Sequence, residues 1–151
     1  MAIAYRKGSH SVFSIVLHTY LVTAYRRKCL SAEMIDRIEE VAGRVLVKNR
    51  CILLECDGEA DHVHFAIDLH PSVAASTLVG SMKSATSRII RKEFETELRP
   101  YFCNWGKGLW GDQKYYASAS GAPIATLIEY IQDHNRGSGH TKKPGQRKNV
   151  P

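Results

Sequence analysis

The 151-residue chain has little with which to staple itself and no stretch suited to a bilayer. Its four cysteines, Cys29, Cys51, Cys56 and Cys103, form no C-x-x-C pair, which argues against a disulfide framework or a cysteine-built zinc site and makes a reduced cytoplasm the expected setting. No secretory apolar core with a cleavage site precedes the first strand. The most apolar run, Val12 to Val22, is interrupted by Ser14, His18 and Thr19 and is too short to cross a membrane, so no membrane role is expected. No repeat recurs at solenoid spacing. Acidic residues are the scarcer charge, 15 against 21 Lys and Arg, and the formal charge of +6 favours a polyanion as partner. With 44% hydrophobic residues, the chain can bury one good core.

What is present reads as an alternation of strands and helices. Val12 to Tyr25 is rich in β-branched and aromatic residues and predicts a strand closed by Arg26 and Arg27. Ser31 can cap a helix whose Met34, Ile35, Ile38, Val41, Ala42, Val45 and Leu46 share one face. A hairpin is predicted from the apolar run Cys51 to Cys56, the turn residues Asp57-Gly58-Glu59 and the alternating His62 to Leu69. In the second strand Val63, Phe65, Ile67 and Leu69 should face helices, and His62, His64, Ala66, Asp68 and His70 the other side. A second helix follows Pro71, with Leu78, Met82, Ala85, Ile89 and Phe94 inward and Lys83, Ser84, Ser87, Arg88 and Arg91 outward, ending before Pro100. A fourth strand is expected near Lys114 to Ala119, and Pro123 opens a last helix reaching Asn135.

This order predicts an α+β ferredoxin-like sandwich, an antiparallel sheet with helices on one face, plus a C-terminal helix. Residues 1–135 make one domain and 136–151 a basic tail expected to be disordered.

Two pairs of residues carry chemistry. His62 and His64 lie two apart on a strand, so their rings leave the same face about 6–7 Å apart, within reach of one metal ion. Taken alone, such a pair also suits two solvated strand residues. On the last helix Tyr130 and His134 are one turn apart, flanking the apolar stripe of Ile124, Leu127, Ile128 and Ile131. A tyrosine in that place is ordinarily a packing residue.

In combination these segments resemble a known family. Ser9-His10-Ser11-Val12, Tyr20, Val22, Tyr25-Arg26-Arg27, Leu30, Asp61-His62-Val63-His64-Phe65, Trp105 to Trp110 and Tyr130-Ile131-Gln132 together resemble the single-tyrosine HUH transposases of small bacterial insertion sequences. The resemblance implies an enzyme that binds hairpins in single-stranded DNA at the ends of the element and cuts beside them. Tyr130 would be the nucleophile, leaving a 5′-phosphotyrosine, and His62, His64 and His134 would hold a divalent metal, Mg²⁺ or Mn²⁺ first. It also implies a homodimer, in which the tyrosine helix can serve the partner's site.

The pattern is departed from at Ala24, where relatives carry a basic residue, and at His134, commonly Gln or Asn. Three histidines would move the site towards softer ions such as Co²⁺ or Zn²⁺.

The DNA surface is expected from Arg26, Arg27, Lys83, Arg88 and Arg91, with Lys142, Lys143, Arg147 and Lys148 of the tail. Trp105, Trp110 or Tyr116 could stack on unpaired bases or belong to the core. A domesticated relative that cuts or binds hairpins without moving an element fits the same residues. A non-catalytic single-strand binder of ferredoxin-like fold would present aromatics where the His62 strand presents histidines and Asp68.

Overall fold

The computed structural model describes residues 5–118 and Gln132. Tyr130, His134, the remainder of the expected last helix and the tail lie outside the described residues. The elements are β1 (Arg6–Lys7), β2 (Val12–Phe13), β3 (Val16–Val22), α1 (Ala32–Lys48), β4 (Ile52–Glu59), β5 (His62–Asp68), α2 (Ala75–Glu93), the single-turn α3 (Glu95–Leu98) and β6 (Tyr115–Ser118). Tight 3₁₀ turns occupy Ala24–Arg26 and Arg99–Tyr101. The main sheet has the order β4-β5-β3-β6, with every pair antiparallel, while β1 and β2 form a small separate ribbon. From β3 to β6 the chain follows the ferredoxin-like course of strand, helix, two strands, helix, strand.

The core forms because two helical stripes meet one face of the sheet. Ser31 caps α1 by accepting a hydrogen bond from the Met34 amide at 3.2 Å. Met34, Ile38, Ala42 and Leu46 of α1 and Leu78, Val79, Met82 and Ile90 of α2 then join Leu21, Val63, Phe65 and Ile67 in one buried cluster. Phe65 is the largest of the fully buried side chains on the central strands. Phe65→Ala should cost about 3–5 kcal/mol through lost apolar contact and the cavity left behind, read as a lower urea midpoint with an unchanged slope.

Local expectations failed in three places, each for a tertiary reason. The first strand was expected to run unbroken from Val12 to Tyr25, but it breaks after Phe13 and β3 ends at Val22. Beyond that point the Val22 carbonyl accepts from the Gly111 amide, and Thr23 pairs with Trp110 and bonds through its hydroxyl to the Arg27 carbonyl. Tyr25 and Arg26 are left-handed, with φ of 55° and 54°, and so cannot continue a strand.

The hairpin was expected to turn at Asp57-Gly58-Glu59, yet β4 runs through these residues and the turn falls at Ala60 and Asp61. Gly58 serves close approach rather than turning. A Cβ there would sit 3.1 Å from the His62 carbonyl oxygen and 3.2 Å from Ile35 of α1.

The buried stripe of α2 contains Thr86 and Ile90, and Ala85 and Ile89 are only half-buried. Thr86 can face inward because its hydroxyl donates to the Met82 carbonyl and accepts from the Trp110 indole N–H at 2.8 Å.

The opposite face of the sheet is also closed at its centre. His18, Tyr20 and Val22 of β3, Ala66 and Asp68 of β5 and Tyr115 of β6 are all buried. Part of this cover is the β1–β2 ribbon. Its Arg6 pairs with Asp68 at 3.1 Å, and its Phe13 meets His70 edge-on.

Candidate active site

Register across β3 and β5 builds the site. Val22 pairs with His62 and Tyr20 with His64, so both histidines leave the sheet on the face away from α1 and α2, with Tyr20 between them. The Tyr20 ring centre is 4.7 Å from that of His64 and 6.2 Å from that of His62. A cavity of about 300 Å³ lies over them, lined by Tyr20, Arg26, Asp57, Gly58, Glu59, His62, His64 and Gln132. Both His62 and His64 line this cavity, but among the described residues the close group of possible ligand atoms contains His62 and not His64.

The hairpin turn orients His62. Asp61, buried in that turn, places Oδ1 2.8 Å from His62 Nδ1, and its Oδ2 accepts from Arg26 Nε at 2.7 Å. Burial alone would raise the Asp61 pKa, but the hydrogen bonds from His62 and Arg26 outweigh it and hold the carboxyl below its ordinary range. An aspartate that accepts a hydrogen bond from Nδ1–H leaves His62 Nε2 as the nitrogen able to ligate. Arg26 reaches Asp61 only because the backbone of residues 25 and 26 turns left-handed.

His64 has its own support. His18, buried on β3, places Nδ1 2.9 Å from His64 Nε2, with the two rings stacked at 5.1 Å and 6°. Burial, and then the neighbouring His18, push the His64 pKa below its usual value. The shift favours the neutral imidazole, the form a metal requires.

Glu59, Asp61 and His62 offer ligand atoms within 4.8 Å of one another. Imidazole nitrogens and carboxylate oxygens, with no sulfur donor lining the cavity, suit a hard or borderline divalent ion, so these residues fit a metal of the Mg²⁺ and Mn²⁺ class. Asp61 is already engaged on both oxygens, which makes its first role that of orienting His62. Sequence reasoning missed Glu59, Tyr20 and His18. The alternation of His18 with Tyr20 on β3 was visible, but only the pairing register joins them to His64.

The five expected DNA-contacting residues do not form one basic face. Arg26 points inward to Asp61, and Arg27 lies between Tyr25 and Phe102. Lys83 is half-buried and donates to the carbonyls of Gly111 and Gln113. Arg91 covers Trp105, and Arg88 is exposed. Of the aromatics, Trp110 is core, holding the 105–110 segment to α2 and to the end of β3, whereas Trp105 is half-buried and Tyr116 exposed.

Comparison with known proteins identifies the family. A search of the curated proteins finds transposases for insertion sequence element IS200 from Salmonella typhimurium and Salmonella typhi, each 22% identical over 127 residues, 82% of this chain and 79% of theirs. Among solved structures, a protein from Deinococcus radiodurans R1 assigned as a transposase matches with a TM-score of 0.74 at 23% identity, over 85% of this chain and 96% of that one. The family described as IS200-like transposases matches residues 11–134, which span the histidine strand, the Asp61 turn and both core helices. The chain belongs to the IS200-like transposase family.

Proposed function

We propose that this DNA transposase acts on single strands, binding hairpins at the ends of its element and cutting beside them with Tyr130. The observation that carries this reading is Gln132, a helical residue lining the same cavity as His62 and His64. Tyr130 is two residues away, so its Cα lies within about 8 Å of that of Gln132. Each chain of a homodimer would carry one such histidine pair, with the tyrosine helix serving its own site or its partner's.

His62 and His64 would hold the metal, Mg²⁺ or Mn²⁺, with His134 as the third ligand; Glu59 lines the same cavity as the two strand histidines. When bound, it supplies positive charge against the phosphate and favours the ionised phenol. The Tyr130 oxygen attacks phosphorus, loses its proton, and forms a phosphotyrosine ester as the bond to the 3′ oxygen breaks. That oxygen takes up a proton and leaves as a 3′-hydroxyl. A second 3′-hydroxyl can later displace Tyr130, so the bond energy is conserved and no nucleotide triphosphate is consumed. Asp61 and His18 keep the two imidazoles oriented, and Arg26 holds Asp61 in place.

A 3′-labelled single-stranded oligonucleotide from an element end tests the reading. With Mn²⁺ the label should become protein-linked, whereas EDTA, or annealing to a full complement, should prevent it. Label that never joins protein would sink the proposal. Affinity for this strand should fall steeply with salt, and Arg88→Ala with Lys92→Ala should flatten the slope by about one to two units in a log–log plot.

A further inference from the structure

A chain of contacts between aromatic rings and guanidinium groups leads to Tyr25, which lines a hollow next to the site. The Arg27 guanidinium carbon is 4.8 Å from the ring centre of Tyr25 and 4.8 Å from that of Phe102. Phe102 meets Trp105 edge-on at 6.0 Å, and Arg91 and Arg99 lie over Trp105 at 4.7 and 4.9 Å. Such contacts fix the cations and brace the rings against one another. Phe102 and Trp105 are half-buried, but Tyr25 at the end of these contacts is 77% exposed.

The backbone holds Tyr25 there at a cost, since φ of 55° and ψ of 21° are unfavourable for a residue with a side chain. The same left-handed turn sends Arg26 inward to Asp61 and leaves Tyr25 outside. Between them lies a second hollow of about 490 Å³, lined by Tyr25, Arg26, Lys28, Glu59, Ala60 and Asp61. It shares Arg26 and Glu59 with the active-site cavity, so whatever fills it adjoins that cavity.

We propose that Tyr25 is a stacking platform for an unpaired nucleobase of the DNA strand, next to the nucleotide being cut. The proposal rests on the single-strand reading above. A broad exposed ring braced from behind by a guanidinium suits a flat π-surface, and stacking on such rings tolerates any base. Lys28 supplies a cation for a flanking phosphate, while Glu59, exposed on the same hollow, repels phosphate and can accept from a base amino group. The charges thus set the orientation, base inward and backbone outward.

The test uses a twelve-residue oligothymidylate carrying one central 5-iodouracil, irradiated with the full chain, in parallel with its binding affinity. The cross-link should map to Tyr25. Tyr25→Asn, which tolerates the left-handed backbone but removes the ring, should weaken binding about fivefold or more, whereas Tyr25→Trp should stay within about twofold of the parent. A cross-link elsewhere, unchanged affinity in Tyr25→Asn, or a Tyr25→Trp variant as weak as Tyr25→Asn would overturn the platform. In any of those cases, adducts still forming on the 3′-labelled element end would leave the single-strand reading standing. If the parent chain neither bound nor cross-linked the oligonucleotide and formed no adducts, both would fall.

Discussion

Tyr130→Phe should reduce covalent protein–DNA adducts below detection while hairpin affinity stays within about twofold of the parent. The substitution deletes one oxygen and keeps the ring, so packing and charge are nearly unchanged and only the nucleophile is lost. An ordinary phenol, with a pKa near 10, needs activation, so the parent's rate should depend on metal whereas the variant should respond to none. Gel mobility under denaturing conditions reads the adduct, and mobility under native conditions reads binding. Adducts that persisted in Tyr130→Phe would move the nucleophile to another residue. Tyr115 is buried beside Tyr20 and Val22 and Tyr116 is exposed on the same strand, so Tyr116 would be examined first.

Asp61→Ala should weaken Mn²⁺ binding about 10- to 100-fold, measured calorimetrically on the DNA-free protein. Asp61 holds His62 through one oxygen and Arg26 through the other, so its removal frees an imidazole ring and a guanidinium together. An unanchored His62 has to give up rotamer and tautomer freedom on binding the ion, and an unpaired Arg26 places positive charge beside the place the ion would occupy. Asp61→Asn should fall between the two, because its amide oxygen can still accept from His62 while the negative charge is gone. Unchanged affinity in both variants would show that His62 is held by other means. Complete loss of binding in Asp61→Asn would put Asp61 on the ion itself.

The residues themselves determined the periodicities and therefore the layers. Ser31 and the spacing from Met34 to Leu46 specify α1, and the alternation from His62 to Asp68 specifies a strand with one apolar face. With this succession of elements, few sandwiches remain other than the one observed. The histidine pair was legible for the same reason, since a period of two forces His62 and His64 to one side.

Tertiary structure decided what depends on register and on close approach. Nothing local in Asp57-Gly58-Glu59 says that the glycine admits α1 and the neighbouring strand rather than making a turn. Thr86 is polar in any reading of its helix, and its bonds to the Met82 carbonyl and to the distant Trp110 indole make its burial inexpensive. His18 and His64 are 46 residues apart, and they meet because β3 and β5 pair with Tyr20 opposite His64. The basic residues scattered for a related reason. A charge on a helix face is legible from spacing, but whether it meets solvent, a carbonyl or an aromatic ring depends on which distant segment packs over it. For Lys83 that segment was the Gly111 loop, and for Arg91 it was Trp105.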